Sequence, residues 1–186
     1  MTSPNADRWR KACELEYETL LGYHTWILID RPPNINIVGS RWTFRVKQDN
    51  LGNIDTFKSR LIAQGFSQIP GLNFNKSYSP TITLTSICLM LSLACKYDLE
   101  LQHINVKGAY LNGKLEEEVF MQQLEGFVKK GKEDMVCRLN KGVYGLKQSG
   151  RIWHQTLKRE LKGIGFRAGE VDSTIFFRFR KKDLLR

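Results

Sequence analysis

The chain has 186 residues, 29 Lys and Arg against 19 Asp and Glu, a formal net charge of +10, and 41% hydrophobic residues. That is enough apolar material for one sizeable domain or two small subdomains, and it excludes disorder as the main state. No window approaches the roughly 20 consecutive apolar residues of a membrane span, and "MTSPNADRWRK" lacks a signal peptide's apolar core, so an intracellular protein with no membrane partner is expected.

In chain order, "NADRWRKACELEYETLL" (5–21) sets Trp9, Ala12, Leu15 and Leu20 at near-helical spacing, with Asn5 or Ser3 as N-cap. "HTWILI" reads as a short strand, broken by the paired prolines of "DRPPNIN". "SRWTFRVKQDNLGNIDTFKSRLIAQGF" alternates on both sides of "QDNLGN": Trp42, Phe44 and Val46 point one way, and Phe57, Leu61 and Ala63 resume after the turn. This predicts a long β-hairpin carrying Arg41, Arg45, Lys47, Lys58 and Arg60 on or near one sheet. Residues 66–81 read as loop.

Thr83 to Tyr97 predicts a buried helix, with Cys88 and Cys95 seven apart as small buried residues. Leu99, Leu101, Ile104 and Val106 suggest a strand, closed by Gly108 and "NGKLEE". "EVFMQQ" and "MVCRLN" are short strand candidates, and "KGVYGLKQSG" is a glycine-bounded turn. Trp153, Leu157, Leu161 and Ile164 form a helical stripe stopped by Gly163 and Gly165; "STIFFRF" is a last strand before "RKKDLLR". Hairpins mixed with three helices indicate an α+β architecture.

Cys13, Cys88, Cys95 and Cys137, like His24, His103 and His154, are scattered, which argues against a zinc site or a disulfide framework. From Lys141 to Arg186 twelve Lys and Arg face four Asp and Glu, interleaved with Tyr144, Trp153, Phe166, Phe176 and Phe177. Cations hold phosphates and aromatic faces accept bases, so this segment suits a polyanion; a merely soluble basic surface fits the charge equally well.

Five pieces, "TWILIDRPP", "GSRWTFRVKQDNLGNIDTFKSRLIAQGFSQIPGLNF", "YSPTITLTSICLMLSLA", "INVKGAYLNGKLEEEVFMQQLEGF" and "VCRLNKGVYGLKQSGRIWHQTL", stand in a collinear series. In order and spacing they resemble the reverse transcriptase domain of copia-type (copia/Ty class, pseudovirus) long-terminal-repeat retrotransposons, from about Trp9 to Phe177. The resemblance implies a right-hand polymerase fragment: an N-terminal helix (1–22), a β-rich fingers-like region (23–98) and an incomplete palm (99–186), acting on an RNA or DNA template–primer. Lys58 and Arg60 of "FKSRL" are then expected to meet the incoming triphosphate, since both pair with phosphate oxygens. Tyr110 takes the place of the aromatic that stacks under the sugar and helps exclude a 2′-hydroxyl. Lys147 and Gln148 of "YGLKQSG" align with the support for template and nucleotide, with Gly150 where the family usually has proline. Arg41, Arg45, Lys47 and Arg151 are the implied nucleic-acid contacts.

The resemblance also implies two Mg²⁺ ions held by one acid of "xDVKTAFLNG" and a pair in a later Y-x-D-D hairpin. Here Asn105 of "INVKGAYLNG" stands where the first acid belongs, and an amide offers one neutral oxygen where a hard dication prefers an anionic one. No Y-x-D-D occurs in the 186 residues; Asp98 lies seven residues before Asn105, and Glu116, Glu117 and Glu118 read as a solvated face. No intact metal site and no cofactor are therefore expected, against Mg²⁺ in the family. The expectation is an inactive reverse transcriptase domain with residual nucleic-acid binding, self-associating through unpaired palm edges. The alternatives are an active RNA-directed DNA polymerase, if a Y-x-D-D hairpin follows, and a non-catalytic nucleic-acid-binding or interaction protein.

Overall fold

The computed structural model of the chain describes residues 4–178; the Ser3 cap candidate, the end of "STIFFRF" and "RKKDLLR" lie outside them. The first helix, α1 (Ala6–Gly22), buries Cys13 and Leu20 while Leu15 is 67% exposed. Its contact stripe is thus rotated from the one the sequence suggested. Trp9 holds α1 to the hairpin, its ring edge-on to Phe44 at 5.1 Å and Phe57 at 4.5 Å. The helix ends where His24 turns to a positive φ of 51° and the Thr25 N–H and hydroxyl both donate to Leu20 O.

The expected hairpin forms from β3 (Ser40–Gln48) and β4 (Ile54–Ala63), a two-stranded sheet of its own. Asp49 shapes its turn by accepting from the Leu51 and Asn53 N–H groups, with Gly52 at φ 83°. The strand candidates around Trp26, Phe120 and Val136 also form, as β1 (Trp26–Ile29), β5 (Phe120–Met121) and β6 (Val136–Leu139). With β2 (Ile37–Val38), parallel to β5, they make a four-stranded sheet ordered β1-β6-β5-β2. Two residues are too few to show alternation, so β2 left no signal in the sequence. One core joins Leu20 of α1, Leu61 and Ala63 of β4, Met121 of β5, Cys137 and Leu139 of β6, and Ile152 near the start of the last helix.

The last helix, α3 (Ser149–Gly163), buries Ser149, Ile152 and Thr156, whereas Trp153, Leu157 and Leu161 are half-buried and Ile164 is exposed. After it β7 (Arg167–Ala168) pairs with β8 (Phe176–Phe177). The content is mixed α and β.

Two expectations fail. The helix from Thr83 forms as α2 (Leu84–Lys96), capped by the Thr83 hydroxyl accepting from Ser86 N–H at 3.1 Å, but it is not buried. Ala94 is its one buried residue, Leu84 is 76% exposed, and Cys88 and Cys95 are exposed. Composition marks a helix that wants burial; a partner surface must be supplied by the rest of the fold. The strand over Leu99 to Val106 does not form either: these residues are irregular and exposed, Ile104 at 77%. A strand exists only when a neighbour takes its N–H and C=O groups, and no described strand runs alongside.

Candidate nucleotide-binding cleft

Register decides which hairpin charges share a face. Arg45 stands opposite Lys58, Thr43 opposite Arg60 and Lys47 opposite Thr56, so strand alternation puts Arg45, Lys47, Lys58 and Arg60 on the face away from Phe44, Val46 and Phe57. Like charges directly opposite are unfavourable. Partial burial, then Arg60 and Lys47, hold the Lys58 ammonium below its usual pKa, against the pull of Glu16. Among the described residues the one ion pair within 4 Å is Arg159–Glu160, far along α3, so none of these cations is in direct salt-bridge contact with an acid, although Glu16 acts on Lys58 from farther off.

The free edge of β4, the α1 face of Ala12, Glu16 and Thr19, residues 105–108 and Tyr144 enclose a cleft of about 520 Å³. Lys47, Lys58, Arg60, Asn105 and Lys107 all line it. The 105–108 wall is held from α1: the Tyr23 hydroxyl reaches Lys107 O at 3.5 Å, and Gly108, at φ 57°, leaves its ring room where a Cβ would stand 3.1 Å from Tyr23 Cζ. Asn112 secures the following 3-10 turn by donating to Lys107 O and Gly108 O, with Leu111 anchored in the core.

Lys58, Arg60 and Asn105, far apart in sequence, therefore meet in one cleft with Lys47. Tyr110 is half-buried just behind it, its ring 4.9 Å from that of Tyr144. Gln148 is placed elsewhere: it is 1% exposed, donates to Asn73 O at 2.8 Å and accepts from Gln68 Nε2 at 3.0 Å. It ties the 68–73 loop to the start of α3. Lys147 is exposed, its ammonium over the Phe74 ring at 5.3 Å. Arg151 borders a small pocket with Lys76 and Glu117, and Arg41 a groove between α1 and β3.

Glu16 and Lys107 escaped the sequence reading, which named Tyr144 only as one aromatic of the basic segment after Lys141; Glu16 sat on a helix whose facing only packing could reveal. Burial raises the Glu16 carboxyl above its ordinary 4.5, although the Leu61 N–H, Lys58 and Arg60 favour its charged form. The folded chain takes up this proton at a higher pH than the unfolded one. The resulting stability is full below 4.5 and is lost as pH rises through the folded value. Glu16→Gln is accordingly expected to raise the melting temperature at pH 7, with the gain fading as the pH falls through the folded value and lost below 4.5. It should also tighten tripolyphosphate binding about threefold by removing a competing anion, which calorimetric titration would read.

The sequence profile of the family described as "Reverse transcriptase (RNA-dependent DNA polymerase)" matches residues 23–185, and the chain belongs to that family. The Pol polyproteins of transposons RE2 and RE1 from Arabidopsis thaliana are 39% and 38% identical to it over 180 residues, covering 96% of the chain and 12% of theirs. That of transposon TNT 1-94 from Nicotiana tabacum is 36% identical over 178 residues, covering 96% of the chain and 13% of its own. Within the family this is a copia-type retrotransposon reverse transcriptase domain, spanning about an eighth of the length of these relatives. No solved structure matches the chain. No helix among the described residues is long and apolar enough to cross a membrane.

Proposed function

We propose that the chain is the fingers-like (23–98) and partial palm (99–186) portion of a copia-type reverse transcriptase domain, with α1 as its N-terminal helix, and that its cleft binds the phosphates of a nucleotide without performing metal-dependent chemistry. The observation that carries this reading is the convergence of Lys58, Arg60 and Asn105 on one cleft. The core shared by Leu20, Leu61 and Met121 supports treating residues 9–177 as one domain.

The residues present do not fit the family's Mg²⁺ pair. Asn105 offers a neutral oxygen, Glu16 is engaged by the Leu61 N–H, and Lys47, Lys58, Arg60 and Lys107 make the walls cationic. Among the described residues no group of three or more His, Cys, Asp or Glu is placed to hold a metal ion. The same walls suit an anion. In binding titrations, dATP and inorganic tripolyphosphate are expected to bind equally well in Mg²⁺ and in EDTA. Lys58→Ala and Arg60→Ala should each weaken both about tenfold, the scale of a lost charge-assisted hydrogen bond. Binding that needs Mg²⁺, or that ignores both substitutions, would sink the reading. Single-stranded nucleic acid and RNA–DNA hybrid should bind through Arg41, Arg45, Lys47 and Arg151, with affinity falling steeply as salt rises.

Among the described residues the four-stranded sheet leaves the edges of β1 and β2 unpaired, both in the 23–98 region and not in the palm portion where free edges were expected, and α2 exposes Leu89 at 55% and Leu93 at 42% one turn apart. Both features favour self-association. Light scattering is expected to show mass rising with concentration, and Leu89→Glu with Leu93→Glu to reduce it; an unchanged concentration dependence would locate the contact elsewhere.

A further inference from the structure

We propose, resting on the phosphate-binding reading of the cleft, that Glu16 is a built-in competitor for phosphate there, so that an anion and a proton enter together and the cleft fills more readily as the pH falls.

Glu16 reaches the cleft on a helix that cannot step back. Trp9 is edge-on to Phe44 and Phe57, Cys13 and Leu20 are buried, and Tyr17 stacks on Phe127 at 4.5 Å and 23°. Ala12, Leu15, Glu16 and Thr19 form the stripe that this packing turns toward the cleft. The Thr19 hydroxyl donates to Leu15 O at 2.8 Å, and Glu16 is the one acid of the lining.

The groups around it are cationic or neutral. Strand β4 supplies Lys58 and Arg60, β3 supplies Lys47, and residues 105–108 supply Lys107 and the amide of Asn105. Arg60 is steadied by the Tyr144 ring, its Cζ 5.1 Å from the centroid. On α1 itself Cys13 lies one turn back, its thiol pushed up by burial. Among the described residues no Lys or Arg nitrogen stands within 4 Å of the Glu16 carboxylate, so no salt bridge locks it. The cleft of about 520 Å³ has space for a phosphate between that carboxylate and the opposite cations.

Two protonation states therefore make two different clefts. Charged, Glu16 offsets part of the attraction of Lys47, Lys58, Arg60 and Lys107 and repels an incoming phosphate. Protonated, it leaves those cations to the ligand, and its O–H can donate to a phosphate oxygen. The effect is reciprocal: a bound anion disfavours the carboxylate, so binding draws a proton from solvent onto a Glu16 oxygen. Burial already holds this carboxyl above its ordinary 4.5 in the empty cleft, and a neighbouring anion shifts it further the same way.

Calorimetric titration of the 186-residue chain with cyclic trimetaphosphate tests the coupling, because that ring is a strong acid at every phosphate and keeps its charge while Glu16 titrates. Wild type is expected to bind about threefold more tightly at about pH 5 than at about pH 7. At about pH 6 its binding enthalpy should vary with the ionisation enthalpy of the buffer in the direction of proton uptake. Glu16→Gln should bind about threefold more tightly than wild type at about pH 7, match it at about pH 5, and lose most of the proton uptake. Glu18→Gln makes the same charge change at an exposed position of α1 outside the cleft lining, and it should keep the pH profile of wild type. If Glu16→Gln fails to fold by circular dichroism, Glu16→Ala makes the same comparison. A wild-type affinity that does not change with pH, proton uptake that persists in Glu16→Gln, or an equal change in Glu18→Gln would overturn the coupling while leaving the phosphate reading intact. Wild type and Glu16→Gln that bind no trimetaphosphate at any pH overturn both.

Discussion

Gly145→Ala is expected to destabilise the chain by about 3 kcal/mol or more, a large fraction of the total stability of a domain this size. Two costs add. Gly145 sits at φ 92°, where a Cβ is strained in any surroundings. That Cβ would also overlap the Ala63 carbonyl oxygen and stand 2.7 Å from Ile62 Cγ2. Ala63 is 2% exposed at the end of β4, and its N–H already bonds Tyr144 O, so neither backbone can withdraw. Gly65→Ala should behave alike, since its Cβ would overlap the Gly145 carbonyl oxygen. Gly163→Ala is the control: it ends α3 with nothing within 4 Å of its Cβ, and alanine there should be neutral or stabilise by up to about 1 kcal/mol. Urea unfolding of the three variants measures the contrast. A Gly145→Ala midpoint equal to that of wild type would show that the two segments are not in contact. Because this crossing carries Tyr144 to the cleft, whatever Gly145→Ala population stays folded should also bind tripolyphosphate more weakly.

Template-directed DNA synthesis by the 186-residue chain is expected to be absent with Mg²⁺ or Mn²⁺, and Asn105→Asp is expected not to restore it. Replacing a metal-binding carboxylate by an amide removes a full negative charge from a site meant for two dications, a loss of orders of magnitude in rate. Restoring that charge supplies one ligand to a cleft whose other walls present Lys47, Lys58, Arg60 and Lys107, and the Y-x-D-D pair is not among these residues. The same substitution has a sign in binding. A carboxylate at 105 shares the cleft with the phosphates, so Asn105→Asp should weaken tripolyphosphate about threefold in EDTA. Primer extension on an RNA template together with the titration reads both effects. Incorporation by either chain would overturn the non-catalytic reading, and tighter binding by the Asp variant in EDTA would remove Asn105 from the cleft.

The sequence by itself determined the family, the three helices and the hairpin. Collinear motifs, 3.6-residue spacing and strict alternation are local properties that survive in the order of residues. It also singled out Asn105, an amide where the resemblance places an acid. Tertiary structure decided which side chains meet. The apolar run of Leu84–Lys96 signalled burial, yet among the described residues α2 buries only Ala94, and Leu99 to Val106 find no neighbouring strand to pair with. Gln148 and Tyr144 lie four residues apart in one motif, but the turn at Gly145 sends one into a buried amide network and the other into the cleft. Glu16 shows the reason most plainly: an amphipathic pattern fixes that a helix has a buried side, while the rotation that brings a carboxylate to the edge of β4 depends on how Trp9, Cys13 and Leu20 pack, and no spacing within α1 encodes that.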